Sequence, residues 1–141
     1  VSHPRRATWL AALVAVAAVA ATGFAIARAD DAGGVRTIRV TIRYSSFSPS
    51  SYAVASGETV RFVVENRDPI DHEFILGDRT VQALHERGTE AYHPPRPGEM
   101  TVPAGQTRTT IVTFGAPSTL IIGCHLPGHY AYGMRAPVVV T

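Results

Sequence analysis

Across residues 36–44 the chain reads RTIRVTIRY, with Ile38, Val40, Ile42 and Tyr44 alternating against Thr37, Arg39, Thr41 and Arg43. Successive side chains of an extended chain point to opposite faces. A period of two therefore demands a half-buried strand with a polar outer face. The same constraint recurs along the chain. FSPSS is a turn, and YAVASGETVRFVVEN supplies two short strands about Ser56-Gly57-Glu58, with Val60, Phe62 and Val64 facing inward. After the break NRDPID, the stretch HEFIL places His72, Phe74 and Leu76 on one face. From Gly77 to Pro103 the rhythm lapses. There Asp78 is placed to N-cap a short helix, RTVQALHER, and Gly88 to close it in the left-handed region, while HPPRPGE reads as a proline-stiffened loop. Strand character returns in TRTTIVTF, TLIIGC and PVVVT. Seven or eight short strands, one short helix and no repeat predict an all-β fold. The expected architecture is an antiparallel Greek-key β-sandwich of roughly 110 residues, with a small closed β-barrel as the alternative.

The head of the chain does not share this pattern. VSHPRR is a short basic start, and residues 7–27 form an uncharged run rich in alanine and valine. Small residues alternate at its end (Ala25, Ala27, Ala29), which suits an export signal cleaved after Ala27 or Ala29. The run also has about the 20 residues that an uncleaved membrane anchor needs, though its alanines make it a weak one. The expected organisation is a signal or anchor over residues 1–29, a flexible linker over 30–34, and one domain over 35–141. That domain would be exported, periplasmic or otherwise extracytoplasmic, touching a membrane only through residues 7–27 if these are retained. From Asp30 onward ten arginines face eleven acidic residues, and there is no lysine. This near-neutral body carries no footprint for nucleic acid.

An exported location makes the cysteine usage informative. Exported domains pair their cysteines as staples, yet Cys124 is the only one in the chain. A lone cysteine is a buried inert thiol, an intermolecular partner or a metal ligand. Its surroundings, CHLPGHYAYGM at residues 124–134, favour the last. The period of two puts Leu120, Ile122 and Cys124 on one buried face, and the chain then leaves the sheet through a Pro-Gly turn. His129 and Met134 follow at equal spacing. Thiolate and thioether suit Cu(I), and imidazole suits Cu(II) as well. Two histidines and one cysteine in a trigonal plane, with a weak axial methionine, describe an electron-transfer copper centre. The segment supplies one firm histidine; His72, near a strand start and on an inward face, is best placed to be the second.

Taken together, these residues resemble the cupredoxins, the small blue copper proteins of the plastocyanin, azurin and rusticyanin type. CHLPGHYAYGM is similar to the family's Cys…Pro-Gly-His…Gly-Met ligand loop, and FSPSSYAVASGETVRFVVENRDPIDHEF to its upstream run of Phe, Pro, Gly, Asn and the first histidine ligand. GEMTVPAGQTRTTIVTF resembles the strand pair between them. The resemblance spans residues 35–141. It implies one type 1 copper site cycling between Cu(I) and Cu(II), with His72, Cys124 and His129 equatorial and Met134 axial. It also implies a non-enzymatic, monomeric carrier of single electrons that docks transiently on redox proteins such as cytochromes, oxidases or reductases. The ring of Leu126, Pro127 and Tyr130 would form the docking patch. Copper delivery or tolerance outside the cytoplasm is the alternative function, in which His85, His93, His125 and Met100 would serve as transfer ligands.

The family pattern is not followed everywhere. Glu73 stands where relatives place Asn or Ser, so the hydrogen bond that tunes the cysteine sulfur is in question. Pro137 removes a backbone donor at the start of the last strand. His125, next to the cysteine, is sent away from the metal by strand alternation and is expected to be a solvated loop residue.

Overall fold

The inward-facing positions named above become the core of a two-sheet sandwich. The computed structural model describes residues 34–88 and 96–141. The apolar segment at residues 1–29 and His93 lie outside the described residues. In chain order the elements are β1 (Val35–Ile42), β2 (Phe47–Ser48), β3 (Tyr52–Val54), β4 (Thr59–Asn66) and β5 (His72–Gly77). They continue with α1 (Arg79–Glu86), β6 (Glu99–Val102), β7 (Thr107–Thr113), β8 (Ser118–Gly123) and β9 (Arg135–Val140). One sheet has the order β2-β1-β4-β7 and the other β3-β9-β8-β5-β6.

The all-β sandwich is therefore the one the pattern called for, with two refinements. Nine strands are present among the described residues rather than seven or eight: β2 falls in FSPSS, read as a turn, and β6 in the stretch from Gly77 to Pro103 where the apolar rhythm lapses. Two pairings are also parallel, β1 with β4 and β3 with β9, while the other five are antiparallel. The crossing of the chain explains this. After β1 it passes into the second sheet as β3 and then returns, so β4 lies beside β1 in the same direction. Alternation reports which face is buried; it carries no information about the neighbour's direction.

Phe62 lies at the centre, with its ring 5.3 Å from Phe74 and edge-on to Tyr52 and Phe114 at 6.4 and 6.3 Å. Val40, Ile42, Val60, Val64, Ile122 and Val138 close around these rings and are buried. Each such side chain contributes about 1.5–3 kcal/mol on burial. Tyr44 departs from the expected alternation. β1 ends at Ile42, and Tyr44 and Ser45 adopt left-handed conformations (φ 53° and 50°), which leaves the Tyr44 ring 79% exposed.

Two strand pairings bring His72 and residues 124–134 together. β5 and β8 are antiparallel, pairing Ile75 with Gly123, so the start of β5 and the end of β8 meet at one edge. β9 begins opposite Gly123 at Arg135 and runs back beside β8. Pro137 sits within β9 opposite Ile121, and β3 joins only from Val138 onward. The helix α1 then covers the outer face of β5. Asp78 caps it as anticipated, its Oδ1 accepting from the N–H groups of Thr80 and Val81 (2.8 and 2.9 Å), and Gly88 follows at φ 72°. Gln82 pins it down: its Nε2 donates to the carbonyls of Ile75 (3.0 Å) and Ile121 (2.8 Å), bridging two strands.

Candidate metal centre

His72 opens β5, Cys124 follows the last residue of β8, and Met134 precedes β9, so three of the four sulfur and imidazole donors sit on strand ends. His129 alone is carried by the loop between. The Nδ1 atoms of His72 and His129 lie 3.8 and 3.2 Å from Cys124 Sγ, and the two imidazole rings are 5.0 Å apart. One donor atom from each of these three residues falls within 4.8 Å of the other two. Bonds of about 2.0 Å to nitrogen and about 2.3 Å to sulfur would separate such donors by ~3.5–3.8 Å on a single first-row ion. His72, Cys124 and Met134 are buried, and His129 is part-exposed.

Backbone hydrogen bonds hold the loop. Cys124 N–H donates to Met134 O (3.2 Å) and Met134 N–H to His129 O (2.9 Å). His129 N–H reaches Leu126 O (3.0 Å) and Tyr132 N–H reaches Gly128 O (2.9 Å). Gly128 and Gly133 turn at φ 84° and 100°, a region that favours glycine.

Polar groups around the donors set their protonation. His72 turns its other nitrogen, Nε2, to Asp68 Oδ2 at 2.9 Å, leaving Nδ1 toward Cys124. Burial foremost holds His72 below its ordinary pKa, which keeps the ring uncharged near neutrality. Burial alone would raise Asp68; the amides of Ser45 and Tyr44, with His72, outweigh it and keep the carboxyl low. Burial pushes the Cys124 thiol up, against the pull of the Glu73 and Leu126 amides.

Glu73 resolves the question its side chain raised. Its backbone N–H donates to Cys124 Sγ at 3.3 Å, a contact that any side chain permits. Its carboxylate, on the opposite face, accepts the N–H of His125 at 2.9 Å. The two bonds clamp the start of β5 to the end of β8.

His125 is not the solvated loop residue expected. Its ring is stacked between Tyr130 (4.5 Å) and His85 (5.7 Å), and its Nε2 lies 2.7 Å from Gln82 Oε1. Burial, helped by His85, pushes its imidazole down to about 4, so it stays neutral. α1 supplies Gln82 and His85, and with α1 in place the side chain is half-buried. His85 and His125 thus stack away from the copper-type donors, and Met100 packs against the core. Tyr130 is half-buried beneath Arg135, whereas Tyr132 is 93% exposed. Asp68 and Gln82 were not singled out from sequence.

The donor set, its burial and its spacing suit one copper ion. The family model described as a cupredoxin-like domain matches residues 10–135. This chain is a cupredoxin. Its relatives include the copper-resistant cuproprotein CopI of Rubrivivax gelatinosus, 35% identical over 79% of this chain and 70% of that one. CopI of Pseudomonas aeruginosa is 28% identical over 79% and 80% of the two chains. Among solved structures, auracyanin A, a "blue" copper protein of Chloroflexus aurantiacus, superposes with a TM-score of 0.63 at 21% identity, covering 77% of this cupredoxin and all of that chain. At that identity the likeness concerns the fold.

Proposed function

We propose that this cupredoxin carries single electrons outside the cytoplasm through one type 1 copper site, which His72, Cys124, His129 and Met134 would hold. The observation that carries this reading is the buried donor cluster, assembled on strand ends and closed by a hydrogen-bonded loop. A carrier needs ligands that stay in place when the charge on the metal changes, and stiff strands provide that. Copper supplies the redox couple; the protein supplies fixed donors and keeps water out. His129, the one part-exposed ligand, gives the electron its way in and out. The small cleft formed by Leu126, Pro127 and Tyr130 beside Glu86 and His125 offers a surface of mixed polarity for a transient partner, a cytochrome, oxidase or reductase docking through a small interface. In this reading residues 1–29 export or tether the domain over 35–141, and the chain has no catalytic role.

Copper tolerance is the second reading, favoured by the names of the two relatives. Its candidate transfer ligands fare less well, since His85 and His125 are engaged with each other and Met100 lies in the packing. Adding Cu(II) to the purified protein is expected to give an intense thiolate charge-transfer band that ascorbate bleaches reversibly, and Cys124→Ser should abolish it. Retention of the band in Cys124→Ser would remove the site. A reduced protein that passes its electron to a c-type cytochrome while keeping its copper supports the carrier; release of Cu(I) to a competing chelator before electron transfer supports tolerance.

A further inference from the structure

The carboxylate of Asp68 is buried, and burying a charge costs several kcal/mol unless its hydrogen bonds are made. Three donors converge on it. Oδ1 accepts from Tyr44 N–H at 2.7 Å, while Oδ2 accepts from Ser45 N–H at 2.8 Å and lies 2.9 Å from His72 Nε2. Two of these donors come from the consecutive left-handed residues Tyr44 and Ser45, a conformation unfavourable for side chains of their kind, which aims both N–H groups at one carboxylate. The loop that carries Asp68 is fixed from the other side. Buried Asn66 accepts from Asp68 N–H through Oδ1 (3.0 Å), and its Nδ2 donates to the carbonyls of Ile70 (2.8 Å) and Val102 (2.9 Å). A backbone carbonyl would be enough to hold an imidazole tautomer. The fold holds a full negative charge there instead.

We propose that Asp68 is a positioning residue for the metal: it accepts the Nε2 proton of His72, fixes Nδ1 toward Cys124, and by its charge favours Cu(II) over Cu(I). The inference rests on His72 being a copper ligand. With the Cys124 thiolate and Asp68 both negative, the oxidised ion makes a neutral group of charges, and one added electron leaves it with a net charge of −1. In a buried setting that excess is poorly screened. A charged acceptor also strengthens the donor power of the imidazole, again to the benefit of the more highly charged ion.

Two measurements test this. In metal-free protein, nitrogen-edited NMR of the His72 ring should show the Nε2–H tautomer; an Nδ1–H tautomer would overturn the proposal without reference to copper. In the copper-loaded protein, Asp68→Asn keeps the shape and removes the charge. It should raise the reduction potential by at least a tenfold change in the Cu(I)-to-Cu(II) preference, about 59 mV for one electron. Asp71→Asn is the control: that exposed carboxylate caps Ala104 N–H (2.9 Å) and makes no bond to the ring. It should move the same preference less than twofold. An equal shift in both variants, or an unmoved potential in Asp68→Asn with copper bound, would overturn the role of Asp68. Failure of the unaltered protein to bind copper would instead sink the ligand assignment. Should Asp68→Asn not fold, the tautomer of the unaltered protein decides.

Discussion

The two histidines of the site are held in opposite ways. His72 belongs to a sheet, is fully buried, and is fixed by a side-chain acceptor from the loop that leads into its own strand. His129 belongs to a loop, is part-exposed, and is fixed by the backbone hydrogen bonds of its own segment. One imidazole is thus part of the sandwich, and the other is attached to it. The difference locates rigidity on one side of the donor cluster and access on the other, which is the division the proposed electron carrier would need.

The sharpest way to break this comparison is to delete each ring in turn. In His129→Gly the vacated position borders solvent, so imidazole added at millimolar concentration should restore the charge-transfer band. In His72→Gly the hole is enclosed and no band should return. Rescue of both variants would mean that the buried side is more open than its packing implies.

The next largest effect concerns the clamp on the sheet side. A methyl group on Gly123 would come within 2.5 Å of Gln82 Oε1 and 2.8 Å of the Tyr130 ring. Gly123→Ala should therefore cost about 1–3 kcal/mol in urea unfolding, because Gln82 cannot move without releasing Ile75 or Ile121. Gly115→Ala, which meets no atom within 4 Å, should cost much less. Equal losses would detach α1 from the account.

Copper uptake by the metal-free protein should also depend on pH. The buried Cys124 thiol has a raised pKa, so it is protonated near neutrality and loses that proton on binding. Apparent affinity should then rise about tenfold per pH unit between pH 7 and 8.5, measured by competition with a chelator of known proton dependence. A flat profile would mean that the thiolate is already formed. The smallest effect is expected at Glu73. Glu73→Gln retains both the N–H to Sγ and an acceptor for His125 N–H, so the band should persist and stability should fall by less than about 1 kcal/mol.

What the sequence disclosed about the site follows the same division. Cys124, His129 and Met134 were legible because a single loop carries them at fixed spacing with donor chemistry that few other functions require. His72 was legible through parity, since a polar residue on an inward face needs a reason. Asp68 was not, because NRDPID reads as an exposed turn and nothing local shows that its carboxylate turns inward. Gln82 was hidden likewise: a glutamine within a helix is ordinary until two strands offer it their carbonyls. His125 was misplaced because alternation gives the side of the sheet but not whether a helix covers that side. In the fold, β4 and β5 were readable from period alone, whereas two-residue β2 is too short to show alternation and β6 lies where the apolar rhythm lapses.

The hydrogen bond from Cys124 N–H to Met134 O has a consequence for engineering. It brings the entrance and exit of residues 124–134 to one place, so the segment is a cartridge seated in a fixed socket. Residues added or removed between His125 and Gly133 alter the cartridge while β8 and β9 keep their register. Loop length is therefore a dial on part-exposed His129 that can be turned with the rest of the molecule left as it stands.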